Sequence, residues 1–343
     1  MYRKFPLILF LFLSVPAAFS ASPSGAEPRQ LTFLGDTGES YFSPDGRYLI
    51  YQSRKRPTHY NSQLYLLDLR TMQERRLTVH PGDDTCAYFS PDGERVIFAS
   101  TFDEIRESVR FSNLTPLARW REEQNAPPGH RDYKWKFLPY EIYSVRFADL
   151  LASRGGLPPL ERLTHSIGYD AEGTYAPDGK TIIFTSNRDG DLEIYRMNPD
   201  GTGQERLTAI EGYDGGAFIS PDGTHFLWRG FHGEGHVCDI YIAPLDDPKA
   251  SRRLTDGKGV NWCPSFHPDG RRFVFSSNRA DPKNFDLYLL DIEGRCLKRL
   301  TDHPKADVLP VFSPDGTQIV FTSNRNGSNQ LYIMPFVEPE GCL

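Results

Sequence analysis

A turn built on Pro-Asp-Gly occurs six times in this chain, at Ser43–Gly46, Ser90–Gly93, Ala176–Gly179, Ser220–Gly223, His267–Gly270 and Ser313–Gly316. Its prolines are separated by 47, 86, 44, 47 and 46 residues. A near-constant period in the forties restricts the fold to a repeat architecture, in which each unit buries its faces on its neighbours. After each turn comes an apolar triplet, such as Leu49-Ile50-Tyr51, Val96-Ile97-Phe98 or Phe273-Val274-Phe275. A short unbroken run of branched and aromatic residues marks a strand covered on both faces. Proline presets φ and glycine accepts a positive φ, so each copy forms a hairpin.

Two more strands complete the unit. One carries a Leu-Tyr or Ile-Tyr pair (Leu64-Tyr65 and Ile194-Tyr195, for example), and the other ends in Leu-Thr, as at Leu77-Thr78 and Leu207-Thr208. The expected fold is all-β: a six-bladed β-propeller of four-stranded antiparallel blades. The last unit has no Leu-Thr strand, and the missing copy stands near the N-terminus at Leu31-Thr32. An N-terminal strand therefore completes the last blade and removes an exposed edge. The propeller is expected over residues 29–337, with an insert at 103–140 in blade two and a tail at 338–343.

Residues 1–20 read as a signal peptide: Arg3 and Lys4, an apolar run from Phe5 to Phe19 broken by Pro6, Ser14 and Pro16, and a small-residue cleavage site. Residues 21–28 are a short leader. Export to the periplasm or the medium follows, with no membrane span after cleavage. The net charge of −6 gives no nucleic-acid footprint. Five cysteines at 86, 238, 263, 296 and 342 make no short-spaced metal pattern and are expected to be mostly free and buried. Cys86 and Cys263 share one repeat column in blades that face each other across the ring.

The Phe-Ser-Pro-Asp-Gly turn, the Thr-Ser-Asn-Arg strand ends (Thr185–Arg188, Thr322–Arg325), the Ile-Tyr strand and the Arg-Leu-Thr strand resemble the repeats of TolB-type propellers. The resemblance covers about residues 29–337. It implies a six-bladed ring with a role in an envelope complex. It also sets an expectation of departure, because TolB carries an α/β domain before its propeller and only some eight residues lie between the expected cleavage site and the first strand here. Peptidases with such propellers carry a hydrolase domain, and no Gly-x-Ser-x-Gly motif is present.

Departures from the repeat point to function. The insert brings Trp120, Tyr133, Trp135 and Phe137 among many charges, a composition suited to stacking on a ligand. In blade four, His232, Glu234 and His236 replace the usual Asn-Arg and have side chains able to ligate a divalent cation such as Zn²⁺ or Mn²⁺. A column of polar residues stands where the chain enters each innermost strand: Thr37, Asp84, Asp170, Asp214, Asn261 and Asp307. Its oxygens either ring a channel mouth and attract cationic groups or cap their own turns. The Asn-Arg pairs themselves (Asn187-Arg188, Asn278-Arg279, Asn324-Arg325) read as scaffold.

Two functions fit. The preferred one is a non-catalytic exported module that binds a protein segment or envelope polymer at the channel-mouth face, with no certain cofactor. The alternative is a metal-dependent enzyme acting on a polysaccharide, by analogy with oligogalacturonate-lyase propellers, with His232 and His236 on the metal and an oligosaccharide as substrate.

Overall fold

The computed structural model describes residues 27–104, 137–153, 157–232 and 237–339. The signal peptide, Trp120, Tyr133, Trp135, Glu234 and His236 lie outside the described residues. Six four-stranded antiparallel sheets follow one another around a ring. In blade one the strands are Asp36–Phe42, Tyr48–Arg54, Gln63–Asp68 and Gln73–Arg76, from the axis outward. The innermost strands of blades two to six are Asp84–Phe89, Asp170–Tyr175, Tyr213–Ile219, Asn261–Phe266 and Asp307–Phe312.

Each Pro-Asp-Gly turn is tied by its own side chains. Ser43 Oγ donates to Asp45 Oδ1 at 2.6 Å, and the Gly46 amide donates to the Ser43 carbonyl at 2.8 Å. The turns also lean on one another. A Cβ on Gly46 would sit 3.8 Å from Pro314 of blade six, and one on Gly179 would sit 3.7 Å from Pro91 of blade two. All six prolines thus surround one end of the axis, here the turn face. The opposite end carries the start of every innermost strand and the ends of the insert, and is the insert face.

The core is six apolar clusters, one at each junction between blades. The cluster joining blades one and two contains Ile50, Leu64 and Leu66 from one side and Val96, Phe98 and Tyr143 from the other. Ring closure uses the same device. Leu31, Val320, Leu331 and Ile333 of blade six pack on Leu49, Tyr51, Tyr65 and Leu67 of blade one. Strand Arg29–Gln30 pairs with the third strand of blade six through Arg29↔Ile333 and Gln30↔Tyr332. Leu31 then donates to the Leu331 carbonyl at 2.8 Å, and Leu331 donates back to Thr32 Oγ1 at 2.9 Å.

Of the four cysteines described, Cys86 and Cys238 are free and buried as expected, and Cys263 is free but only partly buried. Cys296 departs from the expectation and is disulfide-bonded. It lies outside the columns that the repeat aligns, so the repeat could not identify a partner for it.

Buried carboxyl groups between blades give the ring a pH dependence. Glu141, Glu193 and Asp286 open their third strands with almost no exposure. Burial pushes Glu141 and Glu193 up to about 7 and Asp286 up to about 6, and Asp170, Asp214 and Asp307 of the next blades push the same way. Unfolded carboxyls titrate near about 4. The folded state therefore favours the protonated forms, and that stabilisation is lost as pH rises through 6 to 7. Asp222, held down to about 2 by Ser220 and the Thr224 amide, acts oppositely and only in stronger acid. The thermal midpoint is expected to fall between pH 5 and pH 8, and Glu141→Gln should flatten that slope. A scan in which the midpoint rises over this interval would remove the explanation.

Candidate functional site

The polar column at the strand starts is fully buried, with Asp84, Asp170, Asp214, Asn261 and Asp307 at 0% exposure. Each side chain has a partner in its own blade, and Asn261 also donates to the Cys238 carbonyl and Asp239 of blade four at 2.9 and 3.2 Å. Arg188 Nη2 donates to Asp170 at 2.9 Å, Arg279 Nη2 to Asn261 Oδ1 at 2.9 Å, and Arg325 Nη2 to Asp307 at 2.9 Å. Thr37 shares a 2.8 Å bond with Ser53. The Asn-Arg arginines thus lock the first strand to the end of the second. In blade two His80 takes that place, with Nε2 2.8 Å from Asp84. In blade four His232 does, with Nε2 2.7 Å from Asp214 and its ring against Tyr241. Among the described residues no group of three His, Cys, Asp or Glu side chains is arranged to hold a metal.

The channel itself is lined two residues further on. Glu39, Cys86, Glu172, Gly216, Cys263 and Leu309 occupy one position in the six innermost strands, and all have a positive φ between 48° and 59°. The ladder to the second strand shifts register there in every blade. This is a β-bulge, which bends the strand and re-aims a side chain. A non-glycine residue in left-handed backbone is uncommon, so its recurrence in five blades shows a position fixed by the ring. The column is not one residue type: two Glu, two Cys, a Gly and a Leu.

These residues surround a cavity of about 150 Å³ in the middle of the channel. Arg229, near the end of the second strand of blade four, reaches into it. Its guanidinium pairs with Glu172, donates to Tyr213 Oη at 2.7 Å and lies 3.9 Å from the centre of the Trp262 ring. Gly216 makes the room: a Cβ there would stand 1.6 Å from Arg229 Nη1. Glu172 also accepts from Thr185 Oγ1 and the Gly216 amide, both at 2.8 Å. Burial opposes the charge on Arg229 most strongly, but Glu172, Tyr213 and Cys263 together more than offset it, and the guanidinium is held well above its ordinary value. Glu39 has weaker partners, Tyr41 Oη at 3.3 Å and Thr85 Oγ1 at 3.5 Å. Burial, and then the charge of Glu172, raise its carboxyl. Burial also raises the Cys86 and Cys263 thiols, which keeps them protonated and poor as nucleophiles or metal ligands.

Aromatic rings stand toward both ends of this cavity. Toward the turn face, Tyr41, Tyr88 and Phe218 meet with centroids 5.1–6.2 Å apart. Beyond them opens an apolar mouth of about 370 Å³ ringed by the six turn prolines. Toward the insert face, Phe137 packs on Tyr169 at 5.0 Å, and Tyr140 on the same ring at 6.1 Å. Leu138 and Tyr140 also line a groove of about 410 Å³ with Asp36, Arg54, Asp83 and Asn329. Residues 137–140, at the end of the insert, therefore lie at this mouth. The connections around it expose Phe33, Leu34, Val79, Ile167 and Ile210.

Glu39, Glu172 and Arg229 were not singled out by the sequence reading, although the sequence held a signal. Aligned on the turns, the residue after each apolar triplet reads Gln52, Ala99, Thr185, Arg229, Ser276 and Thr322, a column with one charge in it.

The family model described as the TolB beta propeller domain matches residues 155–235 and 219–340. The uncharacterised protein Atu1656 of Agrobacterium fabrum is 32% identical over 152 residues, covering 42% of this chain and 50% of that protein. A protein TolB homolog of Chlorobium luteolum is 29% identical over 154 residues, covering 33% of this chain and 35% of that protein. The chain thus spans half or less of the length of these relatives. Among solved structures, TolB from Acinetobacter baumannii superposes with a TM-score of 0.56 at 18% identity, covering 89% of this chain and 65% of that one. An oligogalacturonate lyase from Vibrio parahaemolyticus gives 0.56 at 16% identity, covering 90% and 80%. At these identities the structural likeness is one of fold.

Proposed function

This chain belongs to the TolB β-propeller family, and on that premise we propose that it is an exported, non-catalytic module that binds a protein segment at the insert-face mouth of its channel. The observation that carries the reading is a convergence. The end of the one long insert lies at the same mouth whose channel holds the non-repeating Glu39, Glu172 and Arg229. The innermost strands share one bulged geometry but differ from blade to blade in the side chains they turn into this channel. Exposed Phe33, Leu34, Ile167 and Ile210 around the mouth supply apolar contact, as the core of a protein interface requires. Export rests on the signal-peptide pattern of residues 1–20, and no helix of the described residues is long and apolar enough to cross a membrane.

The polysaccharide-lyase reading has less behind it. His232 Nε2 is engaged by the buried Asp214. The test of the proposal is site-specific cross-linking in the producing cell. A photoreactive residue at position 138 should trap a discrete protein, and Tyr169→Ala, which removes the ring under the insert, should reduce the yield severalfold. No adduct from position 138 would overturn it.

A further inference from the structure

The bulge layer of the channel is one positive charge short. It holds two carboxyl groups and one guanidinium, and the guanidinium is committed to Glu172, Tyr213 and Trp262. Glu39, partly exposed to the same cavity, hydrogen-bonds only neutral groups, Tyr41 at 3.3 Å, Thr85 at 3.5 Å and the Cys86 thiol, and Arg229 acts on it only through space. A carboxyl taken out of water without a cation is unfavourable, and burial together with Glu172 does raise it. The cavity wall beside Glu39 is apolar, because blade six contributes Leu309, Pro310 and Val311. Tyr41 and Phe218 add ring surface at the turn-side end. One side that neutralises a cation and another that covers methylene groups together match an aliphatic stem ending in a charged nitrogen.

We propose that this cavity binds a single cationic nitrogen head group on an aliphatic stem, an alkylammonium or alkylguanidinium, with Glu39 as its counter-ion. The source of that group is either a free amine or a Lys or Arg side chain of the segment bound at the mouth; the second source rests on the function proposed above. A bare divalent ion fits less well, since no three of the Glu39, Glu172, Cys86 and Cys263 side chains around it are arranged to hold one.

The test titrates the mature full chain with n-butylammonium, n-butylguanidinium, neutral n-butanol and, separately, calcium and manganese. Binding is read by tryptophan fluorescence and by the carbon-13 shift of the Glu39 carboxyl. Saturable binding of an alkyl cation is expected, with a downward shift of the Glu39 titration and no competition by butanol. Glu39→Gln, checked for an unchanged melting profile, should weaken it roughly tenfold or more, the loss of one charge-assisted bond. The proposal fails if neither alkyl cation saturates, if Glu39→Gln binds them equally well, or if only the divalent ions move the Glu39 signal. A lysine- or arginine-bearing peptide that outcompetes butylammonium assigns the head group to a partner chain; competition by free amines alone assigns it to a small molecule. A partner trapped from position 138 without any alkyl-cation binding keeps the mouth reading and removes this one. Alkyl-cation binding without a trapped partner does the reverse.

Discussion

Deletion of Arg29–Thr32 is expected to destabilise the whole ring, although it removes only the outermost strand of one blade. Leu31 is 3% exposed and belongs to the apolar cluster that joins blade six to blade one. Emptying such a site costs roughly 2–5 kcal/mol. The two bonds with Leu331 are lost with it, at about 1 kcal/mol each. A domain has only about 5–15 kcal/mol to lose, so most of the margin goes with four residues. Leu31→Ala isolates the packing part and should cost about 2–5 kcal/mol without altering the hydrogen bonds. Denaturant midpoints followed by tryptophan fluorescence measure both. An unchanged midpoint in the deletion would mean that the ring is held closed without its clasp.

Arg229→Ala is the second large effect, and it acts at the axis. The substitution leaves Glu172, 15% exposed to the channel, without its cation, and breaking a buried pair from one side costs up to about 3–5 kcal/mol. Combining Arg229→Met with Glu172→Gln removes both charges and should recover much of the loss. Gly216→Ala tests the same arrangement from the backbone. Its Cβ would fall 1.6 Å from Arg229 Nη1, so the guanidinium must leave its place over Trp262. Destabilisation comparable to that of Arg229→Ala is expected, with a change in tryptophan emission. If Arg229→Ala unfolds at the same denaturant concentration as the unsubstituted chain, the pair does not hold the channel wall.

The scaffold was legible because it repeats. Six turns aligned the chain, the triplets gave the second strands, and the missing Leu-Thr copy located the clasp at Leu31-Thr32. Repetition could not show which way the polar column turns. A spacing does: Asp170 and Arg188, Asn261 and Arg279, Asp307 and Arg325 are each 18 residues apart, and so are Asp214 and His232. The shared partner accounts for their common burial. Glu39 and Glu172 were hidden for a different reason. A bulge interrupts the alternation of inward and outward residues, so a strand pattern read as regular assigns them to the wrong side. Arg229 sits after a buried apolar triplet, where a charge has no local explanation; Gly216, in the neighbouring first strand of blade four, gives it space.

The claim that the insert-face mouth receives a protein segment is tested most directly by cross-linking from three positions in the producing cell. Position 138 lies at the insert-face mouth, position 91 at the turn-face mouth, and position 293 on an exposed outer turn of blade five. A discrete adduct from 138, absent from 91 and 293, is the expected result. An adduct from 91 or 293 and none from 138 would contradict it.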